Sequence, residues 1–139
     1  MRIVVDANVL ISALIKNGKS REVIVSSIFE LVCRKYLGEE IYKHREYIAR
    51  KSGLSTEEII LLTNLLLRRI QTIPDGIYKR KLKEAKLLMR ADPGDVPYVA
   101  CFLAIGCDGI WTNDNHFTGN DRLVVYNTVE LLRLAEKRG

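Results

Sequence analysis

MRIVVDANVL, residues 1–10, is a short apolar run that ends in an acidic residue and passes at once into a second apolar segment. One arginine precedes the run of Ile3, Val4 and Val5, and Asp6 follows it directly. The segment therefore lacks the basic region, the long apolar region and the cleavage site of a secretory signal. It predicts the first strand of the fold, with Asp6 just past the strand's carboxyl end.

Short apolar runs alternate along the chain with longer segments of helical period, the pattern of strand-helix units around a parallel sheet. Strands are predicted at residues 3–5, 31–33, 70–73, 108–111 and 123–125. Helices are predicted at residues 9–15, 21–30, 37–51, 55–69, 79–90, 95–106 and from 127 or 128 to 137. Ser55 and Glu58 match the capping box S-x-x-E, and the segment 74–76 is a turn signal. The sequence thus predicts an α/β fold with a parallel sheet.

Composition limits the class of protein. The chain has 139 residues, 47% of them hydrophobic, which suits one compact domain with a sizeable core, so we expect a single domain over residues 1–139. The longest strongly apolar stretch, residues 59–67, falls well short of the ~20 residues that a membrane span needs. We therefore expect a soluble cytoplasmic protein.

The three cysteines form an odd set without a C-x-x-C pair, and none lies close in sequence to a histidine. Reduced thiols in the core are therefore the expected role of Cys33, Cys101 and Cys107. A zinc site is poorly supported.

The charge favours an anionic partner. Lysine and arginine number 22 against 17 acidic residues, which gives a formal net charge of +5. Many basic proteins never bind nucleic acid, so the placement of the charge carries more weight than its size. Basic residues cluster at 43–51, at 79–90 and at the C-terminus.

Four acids are candidates for one site. Asp6 and Asp114 follow predicted strands, while Glu40 and Asp95 lie near the starts of predicted helices. In open α/β sheets, ligands bind at the carboxyl edge of the strands, where these acids could converge. Crowded carboxylates repel one another unless a cation joins them. Hard oxygen ligands without Cys or His select Mg²⁺ or Mn²⁺, which activates water and stabilises charge on a phosphate.

Each of these acids also has a purely structural interpretation. Asp6 before Asn8 is equally consistent with a helix cap, and Glu40 is consistent with a solvated helix face. Asp95 suits a helix N-terminus, where Pro97 in the first turn makes Gly94 or Asp95 the cap. Asp114 is consistent with turn chemistry. The four acids taken together carry the metal hypothesis.

Taken together, these residues resemble the PIN-domain family of nucleases over nearly the whole chain. Residues 3–12 (IVVDANVLIS) resemble the family's opening strand, acid and helix start. Asp92-Pro93-Gly94-Asp95 is similar to the family's third-acid segment. Residues 111–114 (WTND) are similar to the family's strand-end motif, which contains the fourth acid. The resemblance implies a three-layer α/β/α sandwich around a central five-stranded parallel sheet in the order 3-2-1-4-5.

The resemblance also implies a site. Its metal ligands and catalytic residues are Asp6, Glu40, Asp95 and Asp114, which would bind Mg²⁺ or Mn²⁺ and orient an attacking water. The second acid is either Glu39 or Glu40, and Glu40 fits best because it directly precedes the apolar Ile41. The supporting polar residues are Asn8, Thr112 and Asp92. Some relatives have a further acid where this chain has His116, which leaves the number of metals open.

A small stand-alone domain of this kind resembles the VapC-type toxins, which cleave RNA and pair with an antitoxin. RNA is thus the expected substrate and an antitoxin protein a possible partner. The RNA-binding candidates are the basic residues of the segments 43–51 and 79–90, among them Lys83, Lys86 and Arg90. Their phosphate contacts would position the strand without reading its bases. The apolar segment 59–67 exceeds one core-facing stripe, which indicates either a homodimer contact or full burial in the domain's own core.

Two other classes of protein remain. A receiver-like signalling domain is also a parallel α/β fold, with Asp75 as the phosphate acceptor, but Asp6 has no adjacent acid as such a site requires. A non-catalytic RNA-binding domain would keep the fold without turnover. Neither G-x-x-x-x-G-K nor G-x-G-x-x-G occurs, which argues against nucleotide-binding enzymes.

Overall fold

A five-stranded parallel sheet forms the centre of the protein in a computed structural model, which describes residues 1–16, 18–88, 93–114 and 121–138. The strand order is β3-β2-β1-β4-β5, as the resemblance implied. The strands are β1 (Arg2–Val5), β2 (Glu30–Arg34), β3 (Ile70–Ile73), β4 (Gly109–Trp111) and β5 (Val125–Tyr126). This order differs from the 2-1-3-4-5 order of receiver-type sheets, so the receiver alternative is wrong.

Helices cover both faces of the sheet. They are α1 (Ala7–Ile15), α2 (Lys19–Val25), α3 (Leu37–Lys43), α4 (Arg45–Ser52), α5 (Thr56–Leu67), α6 (Asp75–Tyr78), α7 (Leu82–Leu88), α8 (Val96–Ala104) and α9 (Thr128–Arg138). Short 3₁₀ turns, Lys79–Lys81 and Pro93–Asp95, precede α7 and α8. Contacts join α6, α7 and α8 into one group and α1 to α5 into another, with α9 against α2.

The central strand sets the position of the site. Ile3, Val4 and Val5 are fully buried, because β1 is paired on both edges and covered on both faces. Ile3 of β1 pairs in register with Leu31 of β2 on one side and with Gly109 of β4 on the other. The carboxyl ends of β1, β2 and β4 therefore lie at one edge of the sheet.

Several predicted boundaries are wrong, each for a local reason. The segment 37–51 forms two helices, because the chain turns at His44, whose N–H bonds to Ile41 O three residues back. The segment 21–30 is helical only to Val25, since Ser27 has a left-handed φ of 59° and Glu30 already belongs to β2. The predicted turn at Asp75 begins α6 instead.

Other local predictions are confirmed. Ser55 and Glu58 form the reciprocal capping box of α5, each side chain accepting the other's backbone N–H at 3.1 Å. Asp95 is the N-cap residue of α8, and a proline lies in the first turn. Cys33, Cys101 and Cys107 are free and buried, and burial raises the pKa of each thiol to about 12.

Across the described ranges, no helix is both long and apolar enough to cross a bilayer.

Because β4 is buried, a substitution that leaves a cavity in this strand should lower the stability of the protein. Ile110 of β4 is fully buried, so Ile110→Ala should lower the free energy of unfolding by about 2–5 kcal/mol in urea denaturation. The exposed Val124 is the control, and Val124→Ala should change it by less than about 0.5 kcal/mol. Equal effects of the two substitutions would contradict the assignment of β4 to the core.

Candidate functional site

Asp6 lies at the junction of β1 and α1 and is only 3% exposed. Its backbone N–H extends the sheet by bonding to Trp111 O at 3.1 Å. Its carboxylate accepts the Thr112 hydroxyl at 2.8 Å on Oδ2 and a long contact of 3.5 Å from the Asn8 N–H on Oδ1. Asp6 is thus the N-cap of α1 and a buried carboxylate at the sheet edge at the same time, so its two interpretations are compatible.

Thr112 links two of the predicted acids. It directly follows β4, is 1% exposed, and donates its hydroxyl hydrogen to Asp6. The same hydroxyl oxygen accepts the backbone N–H of Asp114 at 3.0 Å. One side chain therefore fixes the carboxylate of Asp6 and the backbone of Asp114 at neighbouring strand ends.

Glu40 reaches the same edge from the first turn of α3. The Arg34 guanidinium donates from Nη1 to Glu40 Oε1 at 2.8 Å, and the Tyr98 hydroxyl donates to Oε2 at 3.2 Å. Glu39 is exposed, whereas Glu40 is half-buried and held on both oxygens. The geometry thus favours Glu40 as the second acid.

Electrostatics shows that three of the acids interact. Burial raises the pKa of Asp6 above its usual value, and the hydrogen bonds from Thr112 and Asn8 offset part of this rise. The negative charges of Asp114 and Glu40 raise the pKa of Asp6 further. Asp6, Asp114 and Glu40 therefore lie close enough for the charges of the last two to act on the first.

Asp95 is the N-cap residue of the helix that contributes Tyr98 to the site. It is half-buried at the N-terminus of α8, and Tyr98, about one turn later in the same helix, reaches Glu40. Asn8 is exposed, and its backbone N–H makes the contact with Asp6. Asp92, Arg90 and His116, singled out in the sequence, lie outside the described residues.

Sequence reasoning missed a hydrogen-bond network behind Glu40. Arg34, at the end of β2, lies 5.9 Å from the Tyr98 ring centroid and interacts with Tyr78, whose hydroxyl donates to Asp75 at 2.6 Å. Burial raises the pKa of Tyr78 to about 12. The rule that strand ends share one edge would have selected Arg34, but a search restricted to acids overlooked it.

The chemistry of the donor set decides which cation the cluster could hold. Within the described ranges, no three Asp, Glu, His or Cys side chains lie close enough together to hold one metal ion jointly. Mg²⁺, however, is usually held by one or two carboxylates and several waters. The interacting oxygens of Asp6, Asp114 and Glu40 meet that requirement and offer neither thiolate nor imidazole. The cluster therefore fits Mg²⁺ or Mn²⁺.

These features define a class of protein: a doubly covered parallel α/β domain with carboxylates gathered at the carboxyl edge of its central strands. The family model of the PIN domain matches residues 4–130. The protein therefore belongs to the PIN-domain family, a family of nucleases.

Comparison with solved structures agrees with this fold. The chain is similar to a chain in the crystal structure of VapBC2 from Rickettsia felis bound to a DNA fragment from their promoter. The TM-score is 0.68 at 12% sequence identity, with 91% of this chain and 98% of that chain covered. No curated protein matches the chain. At this identity, the structural likeness supports the fold and says nothing of the substrate.

The buried charge of Asp6 predicts an effect on stability. The pKa of Asp6 is raised by folding, so ionisation destabilises the native state, and stability falls as pH rises from below 3.8 through the raised value. In EDTA at pH 7, Asp6→Asn should therefore raise the free energy of unfolding by about 0.5–2 kcal/mol. The gain should disappear as pH falls below 3.8, where Asp6 is protonated in both states.

Thermal or urea unfolding between pH 3 and pH 8 checks this prediction. Asp108, an exposed acid at the opposite end of β4, supplies the matched control Asp108→Asn, which should give no such gain. A destabilised Asp6→Asn at neutral pH, or a gain independent of pH, would contradict the electrostatic origin of the effect.

Proposed function

We propose that the protein is a divalent-metal-dependent endoribonuclease, and that it is the toxin component of a toxin-antitoxin pair. The observation that carries the proposal is the buried Asp6 carboxylate, held by Thr112 beside Asp114 and Glu40 at the carboxyl edge of the sheet. A helix cap alone does not require two further acids within electrostatic range. A site in which these carboxylates hold a cation that then contacts a phosphate accounts for all three acids.

The proposed ligands of Mg²⁺ or Mn²⁺ are Asp6, Glu40, Asp95 and Asp114. One or two of these carboxylates would contact the ion directly, and the others would bind it through coordinated water. When bound, the ion would activate water and stabilise the negative charge that develops on the phosphate. Thr112 would hold the Asp6 carboxylate in one orientation, and Arg34 with Tyr98 would do the same for Glu40. Asn8 and Asp92 are proposed as supporting polar residues.

RNA is the proposed substrate. The net charge of +5 favours a polyanion. Lys83 and Lys86 are exposed on α7, and with Arg90 they are proposed as phosphate contacts that add affinity without reading bases. The three reduced, buried cysteines suit a cytoplasmic protein. We propose that one domain, residues 1–139, carries the activity, since its buried residues form a common hydrophobic cluster.

The proposed antitoxin partner rests on the structural neighbour, which was crystallised as VapBC2 with a promoter DNA fragment. A homodimer is also proposed, through α5. That helix buries Ile59, Thr63 and Leu66 on one face and exposes Ile60, Leu61 and Leu65 on the other. Full burial of the segment 59–67 in the domain's own core is therefore wrong, because only one stripe enters the core. The exposed apolar stripe supports the proposed dimer contact.

The activity is tested by incubating the protein with labelled single-stranded RNA and Mn²⁺ or Mg²⁺. Cleavage should be lost in EDTA and in Asp6→Asn, and should persist in Asp108→Asn, which removes an exposed acid at the opposite end of β4. Thr112→Val keeps the shape but removes the hydrogen bond to Asp6, and should lower the rate about 10- to 100-fold. Equal cleavage by wild type and Asp6→Asn would place the activity elsewhere.

Absence of cleavage on every RNA tried, with intact RNA binding, would favour the non-catalytic RNA-binding alternative.

The dimer is tested with two leucines that are each 62% exposed, Leu61 on α5 and Leu87 on α7. Light scattering of the wild type should give twice the chain mass of 15.9 kDa. Leu61→Glu should give a monomer, because a charge would be buried in the contact, whereas Leu87→Glu should remain dimeric. A monomeric wild type at high concentration would count against the dimer.

A further inference from the structure

Two open cavities lie along α1, beside the acidic cluster. One, of about 490 Å³, lies between α1 and α4. The other, of about 390 Å³, lies between the end of α1 and the starts of α2 and α9. Ser12 and Lys16 line both cavities, so the two adjoin at these residues, and together they are here called the α1 trough.

The trough meets the candidate site at two points. Asn8 lines the first cavity, and its backbone N–H contacts the Asp6 carboxylate. Asn113 lines the second cavity and lies between Thr112 and Asp114 in the chain. The side chain of Asn113 is fixed, because its Oδ1 accepts the backbone N–H of Thr128 at 3.0 Å. The trough is therefore lined by close chain neighbours of Asp6 and of Asp114.

The lining is basic. Lys16 and Lys51 line the first cavity, with His44, and Lys16 and Lys19 line the second. Among the described residues, neither cavity is lined by a carboxylate, although the acidic cluster is adjacent. A chain of phosphates binds where cationic side chains neutralise its charge. The lysines of the trough provide such a surface.

An aromatic side chain stands within this basic lining. Tyr47 of α4 is 47% exposed in the first cavity, and the Lys51 ammonium lies 5.9 Å from its ring centroid. Grooves that bind single strands combine cations for the backbone with exposed aromatic rings on which bases stack. Both cavities fall within the usual size range of pockets for small organic ligands, about 300–1,000 Å³.

We propose that the α1 trough is the binding track for single-stranded RNA on either side of the phosphate to be cleaved. Lys16 and Lys51 contact phosphates, and Tyr47 stacks on a base. The track deepens the proposed function and rests on it. Ile11 and Ile15 make part of the lining apolar. Single-stranded RNA is nevertheless favoured over a peptide, because lysines line both cavities and an exposed tyrosine ring lies among them.

Binding is measured in EDTA, by fluorescence anisotropy of a labelled single-stranded RNA over a series of salt concentrations, so that cleavage plays no part. Lys16→Glu combined with Lys51→Glu should weaken binding and reduce the salt slope by about 0.7 for each phosphate that is no longer neutralised. Arg68→Glu combined with Lys137→Glu makes the same change in net charge, on residues that follow α5 and lie late in α9. This control should keep the wild-type salt slope.

A second pair of variants separates stacking from charge. Tyr47→Ala should weaken binding about 5- to 100-fold. Tyr42 is 52% exposed but lines the separate groove between α3 and α5, so Tyr42→Ala should leave affinity nearly unchanged. Equal salt slopes for the two double variants, or equally weakened binding by the two tyrosine variants, would overturn the track and leave the trough to a peptide or another ligand.

The two proposals fail separately. Loss of RNA binding in the trough variants, together with absent cleavage by the wild type, would support the track and contradict the nuclease. Metal-dependent cleavage with unaltered binding by the trough variants would support the nuclease and contradict the track.

Discussion

The carboxylate of Asp6 is held at the end of a strand whose last three residues are fully buried, so water cannot solvate it well, and the candidate site is arranged around that charge. Burial in an apolar core disfavours an ionised acid, and two further acids nearby disfavour it more. The Thr112 hydroxyl and the Asn8 N–H compensate only in part. A fold optimised for stability alone would not place a charge here, which is why the position indicates a cation-dependent function.

The sheet topology makes this cluster possible. Because β1 is central and β4 is its neighbour, the residues that follow these two strands meet without a long connection. The end of β2 contributes Arg34, which neutralises part of Glu40's charge and, with Tyr98, holds its carboxylate. The site thus contains one acid held by a hydroxyl and one held by a guanidinium and a phenol. Because Glu40 is already paired with a guanidinium, a bound cation should stabilise the charge of Asp6 more than that of Glu40.

Much of the fold could be predicted because the apolar runs at 3–5, 31–33 and 70–73 are short and bounded by polar residues. The sheet order came from the family resemblance, since strand spacing alone permits several orders. The prediction of one helix over 37–51 was wrong because apolar periodicity continues across His44, where only the backbone changes direction. Periodicity records which face is buried and is insensitive to such a turn.

The candidate site was predictable to the extent that strand ends share an edge. That rule selected Asp6 and Asp114, and the structure brings them together through Thr112. Arg34 was missed because the search was restricted to acids. Tyr78 and Tyr98 were missed because their contacts with Arg34 and Glu40 join distant parts of the chain. Anomalous diffraction from crystals soaked in Mn²⁺ shows whether the Asp6 cluster binds a divalent cation. We expect a peak at coordination distance from Asp6 and from at least one of Asp114 and Glu40; occupied Mn²⁺ sites only elsewhere on the protein would exclude a cation site at this cluster.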